Sequence, residues 1–328
     1  MSPSLATNQA LDGAVLRADL TGCGGPKHIA APENRTAATE PLRLGPWLLD
    51  SLLAEGTLTR VYRARTIATK GEGQLPAQYV VKVLREVWHD HPVGLARMRQ
   101  EALVGRCVAN RYLAPILSVH VHRPPFYVVL PWLKGVSVAA HLATRGRLEA
   151  SLALWIARQA AQALEALHAA GYVHGDVNPR NLLLAPDGHV TLLDLSCSHR
   201  VGDAPERSDS TLAVRPLLGT PNYLAPEIFI GKQANPRSDL YSLGFTLFEM
   251  LAGRLLHMPG EMAALKAFKR EGILPSVRAI APQVPHEVAD LVRELTARDP
   301  LRRPHSAREV VHRCMRLEIA TLRQRVLV

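Results

Sequence analysis

Asp176, Asn181 and Asp194 have the types and spacing that a phosphate-transfer site needs. The first two share the stretch His174-Gly175-Asp176-Val177-Asn178-Pro179-Arg180-Asn181, and the third follows in Leu193-Asp194-Leu195-Ser196. In such a site an ionised Asp176 would accept or orient an attacking hydroxyl, while Asn181 and Asp194 offer hard oxygen ligands to magnesium held against nucleotide phosphates. Lys82 is a candidate to hold those phosphates, with Glu101 as the partner that fixes its ammonium. His174 reads as scaffold rather than base, because the acid stands two residues on, and His168 reads as packing.

These side chains need elements to carry them. From Leu48 to Ala64 an apolar strand, a polar turn at Glu55-Gly56-Thr57 and a second strand predict a hairpin. Gln78 to Leu84 predicts a third strand bearing Lys82, after a loop over Thr69 to Pro76 with two Gly and one Pro. Val93 to Val108 has helical spacing around Arg97, Arg99 and Glu101. Strands over Ile116 to His120 and Phe126 to Leu130 follow. Pro131 then interrupts the ladder and suits a crossing between lobes. Beyond Gly135 the period turns helical: Leu152 to Gly171, then a nearly uncharged and hence buried Asp239 to Leu251, then Ala289 to Ala297 and Ala307 to Ala320. A sheet-rich first part and a helical second part predict a two-lobed α+β fold with a cleft between, an N-lobe over 43–131 and a C-lobe over 135–318. Residues 1–42 read as a disordered leader and 319–328 as a C-terminal tail.

The chain has 328 residues, 47% hydrophobic and 21% charged, which is ordinary globular composition. Its formal charge of +10 comes from scattered arginines without a dense block or interleaved aromatics, so nucleic acid is not the expected partner. A basic surface favours acidic protein substrates. Four distant cysteines without a Cys-x-x-Cys pair fit a reducing compartment, and the cytoplasm is the expected location. Leu20-Thr21-Gly22-Cys23 is a poor lipid-anchor site, since charged residues precede it where an apolar run would be required. No apolar run is long enough to cross a bilayer. His89-Asp90-His91 and His120-x-His122 are fragments of metal sites without the remaining ligands.

The ordered set Lys82, Glu101, Asp176, Asn181, Asp194 resembles the protein kinase superfamily from about Leu44 to Leu317, and within it the bacterial Ser/Thr (eukaryotic-like) protein kinases. Gly219-Thr220-Pro221-Asn222-Tyr223-Leu224-Ala225-Pro226-Glu227 matches the family segment that receives the peptide. Ser238-Asp239-Leu240-Tyr241-Ser242-Leu243-Gly244 matches a buried helix start whose acid ties down the catalytic loop, and Arg303 matches the arginine that pairs with Glu227. The resemblance implies a kinase that uses ATP and Mg2+ to phosphorylate Ser or Thr of protein substrates, itself among them. It places the nucleotide against Ala54, Gly56, Val61, Lys82, the gatekeeper Leu130, and Trp132 and Leu133 of the hinge, with Asn181 and Asp194 on the metal.

Several positions depart from the family pattern. Of three phosphate-loop glycines only Gly56 stands, with Ala54 and Thr59 at the flanking positions and Leu58 at the tip. The lysine two residues after the catalytic acid is Asn178, and Arg180 is the candidate to restore that lost charge. Gly175 replaces an arginine that binds a phosphorylated activation loop, so Ser196, Ser198, Ser208, Ser210 and Thr211 read as solvated hydroxyls rather than switches. Leu195-Ser196 replaces Phe-Gly, which predicts a less mobile switch. Pro131 removes one hinge donor. Two alternatives stay open: a pseudokinase scaffold, motivated by Ala54, Thr59 and Asn178, and a small-molecule phosphotransferase, whose catalytic loop is written the same way.

Overall fold

The computed structural model describes residues 42–67, 76–202, 219–254, 261–272 and 274–326. The leader, most of the Thr69–Pro76 loop and Ser208, Ser210 and Thr211 lie outside the described residues.

Six strands form one antiparallel sheet: β1 (Leu42–Leu44), β2 (Trp47–Glu55), β3 (Thr59–Thr66), β4 (Tyr79–Leu84), β5 (Ser118–His120) and β6 (Tyr127–Pro131), in the order β1-β2-β3-β4-β6-β5. The β-branched run in β4 suits a strand covered on both faces. Leu49, Ala64, Val81, Tyr127 and Val129 pack on one side of the sheet. On the other, Leu84, Phe126 and Val128 meet Met98 and Ala102 of α1 (Pro92–Cys107). His91 caps α1 by accepting from the Val93 N–H, and Pro92 fills its first turn, where no N–H is needed. Register places Lys82 of β4 opposite Val61 on one neighbour and Val128 on the other.

Pro131 does not break the ladder, contrary to the sequence expectation. It is the last residue of β6, paired in register with Tyr79, and the next N–H, from Trp132, still donates to Gln78 O at 2.7 Å. Alternation along the strand turns the proline nitrogen toward β5, which has already ended, so no hydrogen bond is lost.

The second lobe begins with β7 (Val136–Ser137) and α2 (Val138–Arg145), followed by α3 (Ala150–Ala169), β8 (Tyr172–Val173), β9 (Leu182–Leu184), β10 (Val190–Leu192) and β11 (His199–Arg200). α4 (Pro226–Phe229), α5 (Pro236–Ala252), α6 (Met262–Glu271), α7 (His286–Leu295) and α8 (Ala307–Val326) complete it. β10, β9 and β7 form a small sheet, and β11 pairs with β8, so the catalytic-loop region is bracketed by short ladders. The core is built from α3 (Leu154, Ile156, Leu164, Leu167), α5 (Leu243, Leu247, Phe248), α7 (Leu291, Leu295) and α8 (Val310, Cys314). Burying each such side chain contributes roughly 1.5–3 kcal/mol. α5 starts on a capping box, Asn235 with Ser238, and ends on left-handed Gly253 at φ 74°. α8 continues past residue 318 to Val326, and the Arg158–Glu318 pair at 2.7 Å ties it to α3.

Among the described residues no helix is long and apolar enough to cross a membrane.

Candidate active site

Lys82 joins the lobes. Its Nζ lies 2.9 Å from Glu101 Oε2 on α1 and 2.8 Å from Asp194 Oδ1 in the second lobe. Burial alone would drive the Lys82 ammonium down, but the charges of Asp194 and Glu101 outweigh it and hold its pKa above the usual value. Burial also acts on Asp194, yet Lys82 and the Ser196 N–H keep that carboxyl well below the usual range. Glu101 is pushed up to about 7 by burial, against the pull of Lys82. Asp194 is the only described non-glycine residue with positive φ, at 62°, a costly conformation that Lys82 and the Ser196 N–H hold in place.

Asp194 spends Oδ1 on these contacts and keeps 30% of its side chain open to the cleft. Asn181 spends its amide N–H groups on the Asp176 carbonyl (2.8 Å) and Asp176 Oδ2 (3.0 Å), which leaves its amide oxygen for another partner. An open carboxylate oxygen and an open amide oxygen are the donors a hard divalent cation takes, with phosphate oxygens and water completing the shell, so these residues fit such an ion. Among the described residues no group of three His, Cys, Asp or Glu side chains could hold a metal by itself. His89 and His120 bind backbone carbonyls, and His91 caps α1.

Asp176 is held from three sides. Its Oδ1 accepts from the Thr220 N–H at 2.7 Å and Asn178 Nδ2 at 3.0 Å, and its Oδ2 accepts from Asn181 Nδ2. A carboxylate has about four lone-pair sites, so one on Oδ2 remains for an incoming hydroxyl. Asn178, read from sequence as a lost charge, keeps a mechanical role: its amide also reaches Thr220 Oγ1 at 3.3 Å, and its oxygen accepts from the Arg180 N–H at 2.9 Å. Arg180 is exposed and lines the cleft, and its charge acts on both Tyr223 and Glu249.

Asp239 organises the loop from below. It accepts from the His174 N–H (2.8 Å), the Gly175 N–H (2.9 Å) and His168 Nε2 (2.9 Å), so His168 is a hydrogen-bonding partner and not mere packing. Burial raises the Asp239 pKa, but His168 and these donors outweigh it and the net shift is downward. His174 serves as scaffold, with its ring between the Asp176 N–H and the Leu193 carbonyl. Gly175 has φ 79°, and a Cβ there would lie 2.7 Å from the Cys197 carbonyl, so both conformation and space demand glycine. Ser198 is buried and hydrogen-bonds the His174 carbonyl, so it is not a solvated hydroxyl.

The phosphate-loop turn is closed by the Gly56 N–H on the Thr59 carbonyl at 2.8 Å. Arg85 Nη1 donates to the Gly56 and Thr57 carbonyls, and Trp88 Nε1 donates to the Thr57 carbonyl at 2.8 Å. Leu58 packs against the cluster that contains Leu84 and Met98. A turn short of two glycines is thus braced from the β4–α1 connection. Below it lies a cleft of about 810 Å3, counted with the solvent at its mouth, lined by Gly56, Lys82, Glu101, Asp176, Asn181 and Asp194. Ala54 and Val61 face each other across β2 and β3, and Leu130 with Trp132 and Leu133 follows from β6 into the connector, Trp132 stacked under Arg63.

Residues 48–314 match the family model described as the protein kinase domain. The chain belongs to the protein kinase family. It is 32% identical over 267 residues to the serine/threonine-protein kinase PknA of Mycobacterium tuberculosis, covering 76% of this chain and 59% of that protein. To the serine/threonine-protein kinase PrkC of Bacillus subtilis it is 28% identical over 268 residues, covering 81% of this chain and 39% of that protein. The chain therefore matches less than two thirds of the length of these relatives. Membership implies ATP and a divalent cation as the ligands of the kinase cleft.

In this kinase domain Glu227 and Arg303 form a buried bidentate pair at 2.7 and 2.8 Å, as the resemblance implies. Sequence reasoning missed the bracing by Arg85 and Trp88, the grip of Thr220 on Asp176, Tyr223 Oη on Glu249 at 2.5 Å, and Lys269 beneath the peptide segment. Thr220 and Tyr223 stood in a recognised segment, without a sign of their partners. Arg85, Trp88 and Lys269 carried no motif.

Proposed function

We propose that this protein is an ATP- and Mg2+-dependent kinase that transfers the γ-phosphoryl group to Ser or Thr of protein substrates and to its own chain, acting in the cytoplasm. The observation that carries this reading is the Lys82 bridge to Glu101 and Asp194, set beside an Asp176 with one lone pair left open.

In this reading the roles divide as follows, with Ala54, Val61, Leu130, Trp132 and Leu133 carried over from the resemblance and the remaining residues supported by the cleft they line. Lys82 holds nucleotide phosphates, Asn181 and Asp194 hold magnesium, and Ala54, Gly56, Val61, Leu130, Trp132 and Leu133 enclose the nucleotide. Magnesium, when bound, neutralises phosphate charge. Asp176 orients the acceptor hydroxyl through Oδ2 and takes its proton as the new O–P bond forms and the bond to the leaving ADP oxygen breaks. Arg180 supplies the positive charge that Asn178 lacks, and Asn178 keeps Asp176 aligned. A scaffold without transfer would leave this set without a purpose. A small-molecule acceptor would leave the anchored Gly219–Glu227 segment without one.

Incubation with γ-labelled ATP and a generic protein substrate, followed by phosphoamino-acid analysis, tests the reading. Label in phosphoserine or phosphothreonine is expected. Label confined to phosphotyrosine, or found only on small alcohols, would overturn the assigned substrate class.

A further inference from the structure

Lys269 is buried, 2% exposed, on a helix whose other basic residues, Lys266 and Arg270, are exposed. Its Nζ donates to the Asn222 carbonyl at 2.6 Å and to Tyr241 Oη at 3.3 Å, and sits 4.4 Å from the Phe245 ring centroid and 4.9 Å from that of Tyr241. Among the described residues no carboxylate lies within ion-pair distance. Glu227, whose charge acts on Lys269, is engaged by Arg303 and Ser238. Burying an ammonium against one carbonyl, one phenol and two rings costs stability, and packing alone would be served better by an apolar side chain.

The carbonyl it grips belongs to the acceptor side of the cleft. Asn222 lies two residues beyond Thr220, whose N–H holds Asp176, and next to Tyr223, which is tied to Glu249 through its hydroxyl and to Ser242 through its carbonyl. Of these ties the one from Lys269 is made by a cation.

We propose that Lys269 is a positioning residue for the peptide acceptor: its ammonium clamps the Asn222 carbonyl, so that Gly219–Glu227 meets a substrate chain in one conformation, and loss of its proton loosens that grip. The proposal rests on the protein-kinase reading above.

The surroundings make the clamp sensitive near neutrality. Burial first, then repulsion from Arg303, push Lys269 down to about 7, against the attraction of Glu227. Burial pushes the neighbouring hydroxyls, Tyr241 on α5 and Tyr223, upward, so both stay neutral there. The Glu227 carboxyl on α4 is held below its usual value, with burial outweighed by Arg303, so that pair stays charged. Lys269 is then the group of this cluster that changes charge as pH rises through 7, and a neutral amine is the weaker donor.

The test is steady-state kinetics of full-length wild type, Lys269→Met and Lys269→Arg with a Ser/Thr peptide, alongside ATP hydrolysis without peptide. Lys269→Met is expected to raise the peptide KM about tenfold, as loss of a charge-assisted hydrogen bond would, while leaving the ATP KM and peptide-free hydrolysis unchanged. Lys269→Arg is expected to restore part of the peptide affinity. The wild-type peptide KM should rise between about pH 6 and pH 8.5, and this rise should vanish in Lys269→Met. An unchanged peptide KM in a folded Lys269→Met would overturn the proposal and leave the kinase reading standing. So would a flat wild-type pH profile, which needs no variant to fold. Absence of phosphate transfer from wild type under all conditions would instead sink the kinase reading, and the clamp with it.

Discussion

In the proposed mechanism Asn178 and Arg180 divide between them what one lysine does elsewhere in the family. The amide keeps the geometry, bridging Asp176 and Thr220, and the guanidinium lies on the open side of the same loop. Removing one stabiliser of a developing charge typically costs 10²–10³ in rate, so Arg180→Ala should lower kcat by about that factor with the ATP KM unchanged. Unaltered turnover would remove Arg180 from the chemistry. Asn178→Ala still leaves Asp176 with Thr220 and Asn181, and the expected loss in kcat is smaller, about tenfold, read in the same assay. At this scale the sequence was most legible where chemistry depends on local spacing, as in Asp176 to Asn181. It was silent where the partner arrives from afar, as Thr220 does at Asp176 and as Trp88 does at Thr57.

The elements show the same division. β2, β3, β4 and α1 were legible because strands and helices of that length carry a period, and α1 is displaced by only one residue from its sequence expectation. The short strands β7, β8 and β11 are two residues long and leave no period to read, yet they bracket the catalytic loop. Lys269 looks like any surface lysine on α6, because only the packing of α5 and the peptide segment buries it. Its depressed pKa has a stability consequence. Between about pH 7 and pH 10.5 the unfolded chain holds a proton at Lys269 that the folded chain has released, so folding stability gained at this site rises with pH over that window. Denaturant melts of wild type against Lys269→Met should show the wild-type stability climbing toward that of the variant, with about 1.4 kcal/mol per unit of pKa difference as the scale. The phosphate-loop brace is a second prediction: Trp88→Phe deletes the bond to the Thr57 carbonyl and should raise the ATP KM by roughly twofold to tenfold with kcat preserved.

At the scale of the whole molecule, α1 packs on the sheet through Met98 and Ala102 and on the helical lobe through Val104 and Val108, and the two lobes bring their charges to one cleft. Lys82 and Glu101 come from the sheet and α1, Asp194 and Asp176 from the helical lobe, and the 2.8 Å contact between Lys82 and Asp194 joins the halves. The helical lobe is fixed in turn by the buried Glu227–Arg303 pair, which ties the peptide segment to the region before α8. Breaking it as Arg303→Met leaves Glu227 charged and buried, which should cost about 3–5 kcal/mol and appear as a marked fall in Tm. Two lobes with a cleft could be anticipated from the change of period along the chain. That the cleft closes correctly on its charges could not, since it depends on distances between residues more than a hundred positions apart. The measurement closest to the centre of this account is the initial rate of phosphate transfer from MgATP by wild type and Asp176→Ala, with ATP affinity measured on both. The expected result is a loss of about 10²–10⁴ in rate at unchanged ATP affinity. An Asp176→Ala protein that transfers phosphate as fast as wild type would contradict it.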